Sequence, residues 1–242
     1  MRSNTPAGSN KQRAADILAR FDRGDARIEA FAVGPDARGH LRLEKGAVHE
    51  WFGQAPAVGL LAGVAQAGGA EDGVTEGRGV LVWVGRACWP HAGWSGLTGL
   101  LGRSVFVDPA SDADRLWAID QALRCRGACV IADAKRLDMP NSRRLQLAAE
   151  SAGTQGLLVR PPGELGELSA ARTRWRVTPV PNPDARCVPE PRWTVELLRC
   201  KGLRPTPDTR TWIAQLNHDT GDVVMAPHAP DRSVVSPARR HA

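Results

Sequence analysis

The 242-residue chain has no stretch approaching the ~20 consecutive apolar residues that a helix needs to cross a bilayer. Its first residues, Met1 to Ser9, are polar and lack the apolar core of a secretory signal. A membrane role is therefore not expected, and a cytoplasmic location is. Cysteine is sparse: Cys88, Cys125, Cys129, Cys187 and Cys200 are odd in number and scattered. That suits reduced thiols better than a disulfide framework. Cys125 and Cys129 have no second closely spaced Cys/His pair, and the six histidines never pair at i, i+4. No metal site is indicated. There is no G-x-S-x-G nucleophile turn, so no acyl-transfer site is indicated either. Cys88 beside Arg86 is a candidate for a lowered thiol pKa, set against an idle structural thiol. Lysine is nearly missing: only Lys11, Lys45, Lys135 and Lys201 stand among 32 basic residues.

What is present is ordinary for a chain that buries a core, with 42% hydrophobic and 24% charged residues. The formal net charge is +6, and the basic excess sits at the two ends. Arginine-rich ends suit phosphate or acidic partners; they are equally what compositional replacement of lysine leaves on solvated termini. Asn10 to Arg23 predicts a helix, because Ala14, Ile17, Leu18 and Phe21 fall at i, i+3, i+4 and i+7 and Gly24 follows. Beyond a polar linker, Val48–Phe52 is a short apolar stretch. Val80–Val84, Ser104–Val107, Ala128–Ala132 and Gln155–Val159 are apolar runs of strand length, the kind expected in a sheet covered on both faces.

Two helical patterns lie among these runs. Asp112–Arg126 carries a Leu116, Ile119, Leu123 stripe, with Ser111 and Asp114 spaced as a capping box. Asn141–Ala152 carries Leu145, Ala148, Ala149 and Ala152, with Pro140 near its first turn. Strands alternating with helices imply right-handed crossovers and a mostly parallel sheet. After Pro161 the pattern changes to period two. Arg174–Val177, Arg192–Leu197 and Thr211–Leu216 each place one tryptophan (Trp175, Trp193, Trp212) on an apolar face, which predicts antiparallel strands extending the same sheet. The expected organisation is a helix and linker over 1–45, an α/β core with this extension over 46–226, and a disordered basic tail over 227–242.

Three segments carry a family resemblance: DRLWAIDQALRCRGACVIAD (Asp114–Asp133), SRRLQLAAESAGTQGLLVRP (Ser142–Pro161) and RWTVELLRCKGLRP (Arg192–Pro205). They resemble the ImuA family, RecA-like accessory proteins of bacterial damage-induced mutagenesis. The resemblance spans roughly Val48 to Val224. It implies a RecA-type core and a cytoplasmic, nucleoid-associated role in the SOS response and translesion synthesis. The partners it implies are an ImuB-like inactive polymerase homologue, an error-prone polymerase, RecA and single-stranded DNA.

A RecA-type ATPase needs G-x-x-x-x-G-K-[ST] after its first core strand, to hold phosphates and Mg²⁺. Laid after VHEWF, the motif falls on GQAPAVGL, Gly53 to Leu60. Gly53 matches. Val58 replaces the second glycine, Gly59 the lysine and Leu60 the hydroxyl residue, and no lysine lies between Lys45 and Lys135. Asp133, after the run Cys129–Ala132, matches the acid that would hold Mg²⁺; without a phosphate loop it reads instead as a strand-end Asp that caps or accepts backbone N–H groups. The run ending at Val84 is followed by Gly85, Arg86, Ala87 and Cys88 rather than by a water-activating glutamate. Asp108 ends another run. The expectation is a retained scaffold without ATPase chemistry, no cofactor and no catalytic residue.

Nucleic acid or partner contact is left to arginines. Arg172, Arg174 and Arg176 alternate and are expected on one wet face, with Arg143 and Arg144 opening a nearby helix. Such a row suits a phosphate backbone, an acidic protein surface or plain solvation. The preceding loop carries Glu164 and Glu167 and no aromatic platform, which favours the protein over single-stranded DNA. The stripe Ala14, Ile17, Leu18 and Phe21 suits docking on a partner's groove or on its own core. In another class, the same features suit a SulA-type inhibitor of the tubulin-like division protein. That group is usually shorter and lacks the tryptophan-bearing strands.

Overall fold

An apolar run that can expose neither face has to sit inside a sheet, and the chain builds one such sheet of nine strands. The computed structural model describes residues 35, 39–53, 61, 79–90, 101–180, 191–202, 210–216 and 223–227. All of these belong to one compact unit, Val33–Ala242. The stripe Ala14, Ile17, Leu18 and Phe21, the phosphate-loop positions Val58, Gly59 and Leu60, and 228–242 of the expected tail lie outside the described residues.

The strands are β1 (Ala47–Phe52), β2 (Leu81–Val84), β3 (Ser104–Val107), β4 (Cys129–Asp133), β5 (Gln155–Arg160), β6 (Thr173–Val180), β7 (Arg192–Cys200), β8 (Thr211–Leu216) and β9 (Val223–Pro227). Their order is β3-β2-β4-β5-β1-β6-β7-β8-β9. From β3 to β6 every neighbour is parallel, and from β6 to β9 every neighbour is antiparallel. The expected α/β class, a mostly parallel sheet with an antiparallel extension, is borne out. Strand β9 was not expected; it covers the edge that β8 would otherwise present, and it ends on the residue where the tail was expected to begin.

Helices α1 (Asp112–Leu123) and α2 (Met139–Ala152) make the crossovers around β4. The capping box forms: Asp114 N–H donates to Ser111 Oγ at 3.1 Å, and that hydroxyl donates to the Asp114 carboxylate at 2.7 Å. Helix α2 starts two residues earlier than its apolar pattern, because Asp138 caps it by accepting from Asn141 N–H at 2.9 Å. Pro140 then occupies the first turn, where its missing N–H has no partner to lose. Gly153 closes α2 in the left-handed conformation, φ 67°.

Two cores result. On the helix face, Val48, Val84, Val130, Ala132 and Leu158 pack under Ile119, Leu123, Leu145, Ala148 and Ala149. The opposite face holds Trp51, Trp83, Ile131, Leu157, Trp175, Trp193 and Trp212, with Leu41, Leu43 and Leu61 against it. The three C-terminal tryptophans are buried as their period-two spacing predicts. Trp51 stacks on Trp175 at 5.2 Å and 9°, and Trp175 tilts against Trp212 at 5.9 Å. One expectation needs correction. Ser104–Val107 was read as covered on both faces, but β3 is the edge strand, and Val105 and Phe106 are exposed. Val80 likewise is exposed and lies outside β2.

Buried among these aromatics is His49. Its Nδ1 lies 2.7 Å from Thr173 Oγ1 and its Nε2 3.0 Å from the Glu44 carbonyl. A carbonyl can only accept, so Nε2 carries the proton and Nδ1 accepts from the threonine. The Trp175 indole in turn donates to Thr173 Oγ1 at 2.6 Å. Burial is the main force that lowers the His49 pKa to about 4; the Glu44 carbonyl opposes it and the Arg172 charge adds to it.

Two measurements follow. Trp193→Ala should cost about 3–5 kcal/mol in urea unfolding, the range for a large aromatic removed from a core. Unfolded His49 takes a proton below about pH 6.5, while the folded residue resists until about pH 4. Its contribution to stability is therefore complete above pH 6.5 and shrinks as pH falls to 4, by about 3 kcal/mol in all. His49→Gln should flatten that part of the stability–pH curve; an unchanged slope would exclude the assignment.

Candidate functional site

The carboxyl end of β1 is where a phosphate loop would begin, and the chain has placed a charged network there. Glu50 and Arg160 are both 0% exposed, and Arg160 Nη1 donates to Glu50 Oε1 at 3.1 Å. Ser169 Oγ donates to the same oxygen at 2.7 Å, and Arg174 Nε donates to Oε2 at 3.0 Å. The rest of the Arg160 fork is taken by Glu164 Oε2, at 3.1 and 2.7 Å, and by the Leu137 carbonyl at 3.0 Å. Phe52 lies beneath both guanidiniums, with its ring centre 4.7 Å from Arg174 and 5.6 Å from Arg160. Gly53, the one loop residue described, donates its N–H to the Arg160 carbonyl at 3.4 Å. Two buried opposite charges with nearly every lone pair and N–H answered are tolerated; either one left alone is not.

Asp133 ends β4 as expected, half-buried. A Cβ at Gly85, which follows β2 with φ 90°, would stand 3.1 Å from the Asp133 Cβ, so only glycine allows this approach. Beside Asp133, between the first turns of α1 and the loop after β4, lies a cleft of about 210 Å³ with Leu116, Ile119 and Leu137 in its wall. Arg136 spans its rim: its guanidinium donates to Asp112 at 2.9 Å and its N–H to Glu164 at 2.7 Å. The other strand-end acid, Asp108, accepts from Arg86 at 2.7 Å. That pairing settles Cys88 as well. Arg86 is turned away, the thiol is buried against the Val84 and Gly85 carbonyls, and burial pushes its pKa up to about 12. Of the two readings of Cys88, the structural thiol is the one this geometry supports. Among the described residues, no group of three or more His, Cys, Asp or Glu side chains stands close enough to hold a metal ion. No helix among them is long and apolar enough to cross a membrane.

The five arginines of the expected row do not form one wet face. Arg172 pairs with Glu44, Arg174 with Glu50 and Arg176 with Glu196, the last at 2.9 Å. Arg174 retains only 12% of its side chain in solvent. Arg144 reaches across to Asp120 of α1, which Arg124 also holds; burial opposes ionisation there, but the two guanidiniums bring the Asp120 pKa below its ordinary value. Arg143 is exposed. What the spacing did place correctly is the side: Arg174 and Arg176 project from β6 opposite Trp175. The partners Glu44, Glu50, Glu196 and Asp120 went unseen because they come from other elements. The residue sequence reasoning missed is Arg160, whose Arg160–Glu164 spacing of i, i+4 was its one local signal.

No family model matches the chain. It is similar to Protein ImuA from two strains of Caulobacter vibrioides, 37% identical to each over 160 residues, which is 59% of this chain and 63% of each relative. The chain thus matches less than two thirds of the length of these curated relatives. Over that stretch the resemblance to the ImuA family is borne out.

Glu50→Ala would leave Arg160 and Arg174 without their shared carboxylate in a dry site, and should cost about 3–5 kcal/mol by chemical denaturation. Arg143→Ala, on an exposed helix position, should stay within about 0.5 kcal/mol. Equal effects from the two would remove the network from its central place.

Proposed function

We propose that this ImuA-like chain is a non-catalytic adaptor on a RecA-like scaffold, acting in damage-induced mutagenesis. In that role it would support error-prone translesion synthesis beside an ImuB-like polymerase homologue, an error-prone polymerase and RecA, in the cytoplasm at the nucleoid. The likeness to ImuA proteins supports the mutagenesis theme. A parallel sheet with Gly53 at the end of its interior strand β1 and Asp133 at the end of β4 supports the scaffold reading.

The observation that carries the non-catalytic reading is the charge network beside Gly53. A phosphate loop works by aiming free N–H groups and a lysine at phosphates. Here the sequence supplies Val58, Gly59 and Leu60 at the decisive positions. The guanidiniums nearest that strand end, Arg160 and Arg174, are held by Glu50 and Glu164. A sheet end already neutralised from within favours protein contacts over nucleotide turnover.

Titration with a fluorescent ATP analogue in Mg²⁺ should show no saturation in the micromolar range. Saturable binding that disappears with Gly53→Val or Asp133→Asn would overturn the non-catalytic reading. For the adaptor itself, the purified chain should co-elute with a purified ImuB-like protein in size-exclusion chromatography, and separate elution at micromolar concentrations would count against it.

A further inference from the structure

The two helices cover the sheet with one side and turn the other to solvent, and that outer side is not uniformly polar. Trp117 on α1 and Leu147 on α2 keep 61% and 53% of their surface exposed. Both helices are crossovers between parallel strands, so they run in the same direction. Arg144 fixes their register by reaching to Asp120 at 3.1 Å. Trp117 stands about one turn before Asp120 on its helix. On α2, Arg143, Leu147 and Glu150 follow at i, i+4 and i+7 and form one exposed stripe. The other cations of the layer are held internally: Arg115 by Asp112, and Arg124 and Arg144 by Asp120. Among the described residues, Arg143 has no carboxylate partner, and Glu150 uses one oxygen, accepting from Gln146 at 2.8 Å.

We propose that the outer face of α1 and α2 binds a second copy of this chain about a two-fold axis passing Leu147, with α2 packed antiparallel on α2 and Arg143 of each copy paired to Glu150 of the partner subunit. An antiparallel pair centred on Leu147 sets the residue four before the centre opposite those three and four after it. The stripe is therefore its own complement, as a two-fold interface requires: leucine meets leucine, and each unused guanidinium meets an unused carboxylate oxygen. The same rotation brings Trp117 over the last turn of the partner's α2, an exposed indole being the kind of side chain that anchors such contacts. Charge argues for the same occupant. Across the layer, Arg115, Arg124, Arg143 and Arg144 balance Asp112, Asp114, Asp120 and Glu150, in a chain whose net charge is +6. A strongly charged partner of either sign meets as many like charges as unlike ones here, and two copies of a basic chain repel least where the balance holds. Helices of 12 and 14 residues are about 18 and 21 Å long, so the face is about 20 Å square, smaller than a standard interface, and association is expected at micromolar concentrations or above. This assembly goes beyond the adaptor reading and does not depend on it.

Sedimentation velocity on the full chain, over a series from about 1 to 200 µM, tests it. Wild type should move from one chain towards two as concentration rises. Arg143→Glu and Glu150→Arg should each weaken association about tenfold or more, because each sets like charges opposite one another twice across the axis. The first lowers the net charge and the second raises it, so a general charge effect would move them in opposite directions. Combining the two changes in one chain should restore the wild-type association, and Leu147→Glu should abolish it. At the lowest concentration all four variants should melt as wild type does, since the altered side chains are exposed. A wild type that stays a single chain throughout overturns the proposal. Single variants that associate as wild type does, or that move in opposite directions, overturn it as well. A combined variant that fails to recover does the same, because it removes the pairing of Arg143 with Glu150.

Discussion

A glutamate with no exposed surface, on an interior strand of a nine-stranded sheet, has to find its partners inside the protein. Glu50 draws Arg160 from the neighbouring strand β5 and Arg174 from β6, and Arg160 in turn draws Glu164 from the turn that follows β5. Ser169 closes the shell from the loop before β6, and its hydroxyl also lies against Ser142 of α2. One carboxylate thus ties together the two strands flanking β1, the loop that joins them and the start of a helix. Replacing such a pair with apolar groups of matched volume is often neutral, whereas removing one partner is costly. The network therefore adds less to net stability than to fixing which residues meet at the end of β1. That end of the sheet is also where Gly53, the first position of the expected phosphate loop, follows β1.

Most of the fold was legible because it follows from periodicity. The runs at 80–84, 104–107, 128–132 and 155–159 became strands within a residue or so of their limits, and the alternating tryptophan segments became β6, β7 and β8. Burial of one face every second residue is a local property, visible in any short window. What stayed hidden is set by neighbours. β3 looks like its sister strands in composition but sits at the edge, because strand order is decided by crossovers rather than by the strand's own residues. β1 read as an apolar stretch although it holds His49 and Glu50, since nothing local says that Thr173 and Arg160 will arrive beside them. β9 is short and ends in Pro227, a composition that suits an edge strand and resembles a tail.

The functional residues divide along the same line. The positions of Gly53 and Asp133 at strand ends were readable, because each directly follows an apolar run. The arginines were recognised as a group, but their partners come from segments up to 128 residues away, and pairing across such separations depends on register. Arg176 pairs with Glu196, which also holds Arg210 from the residue ahead of β8, and Arg210 gave no periodic signal.

The tryptophan contacts have a spectroscopic consequence. Trp51 belongs to the parallel half of the sheet, Trp175 stands on the strand where the two halves join, and Trp212 lies in the antiparallel half. Their rings form a continuous line at separations of 5.2 and 5.9 Å. Indole transitions that close couple strongly, and the 50° tilt between Trp175 and Trp212 gives that coupling a handedness. The near-ultraviolet circular dichroism of this chain is therefore an optical gauge of the seam itself, sensitive to any slippage between its two halves even while every strand stays intact.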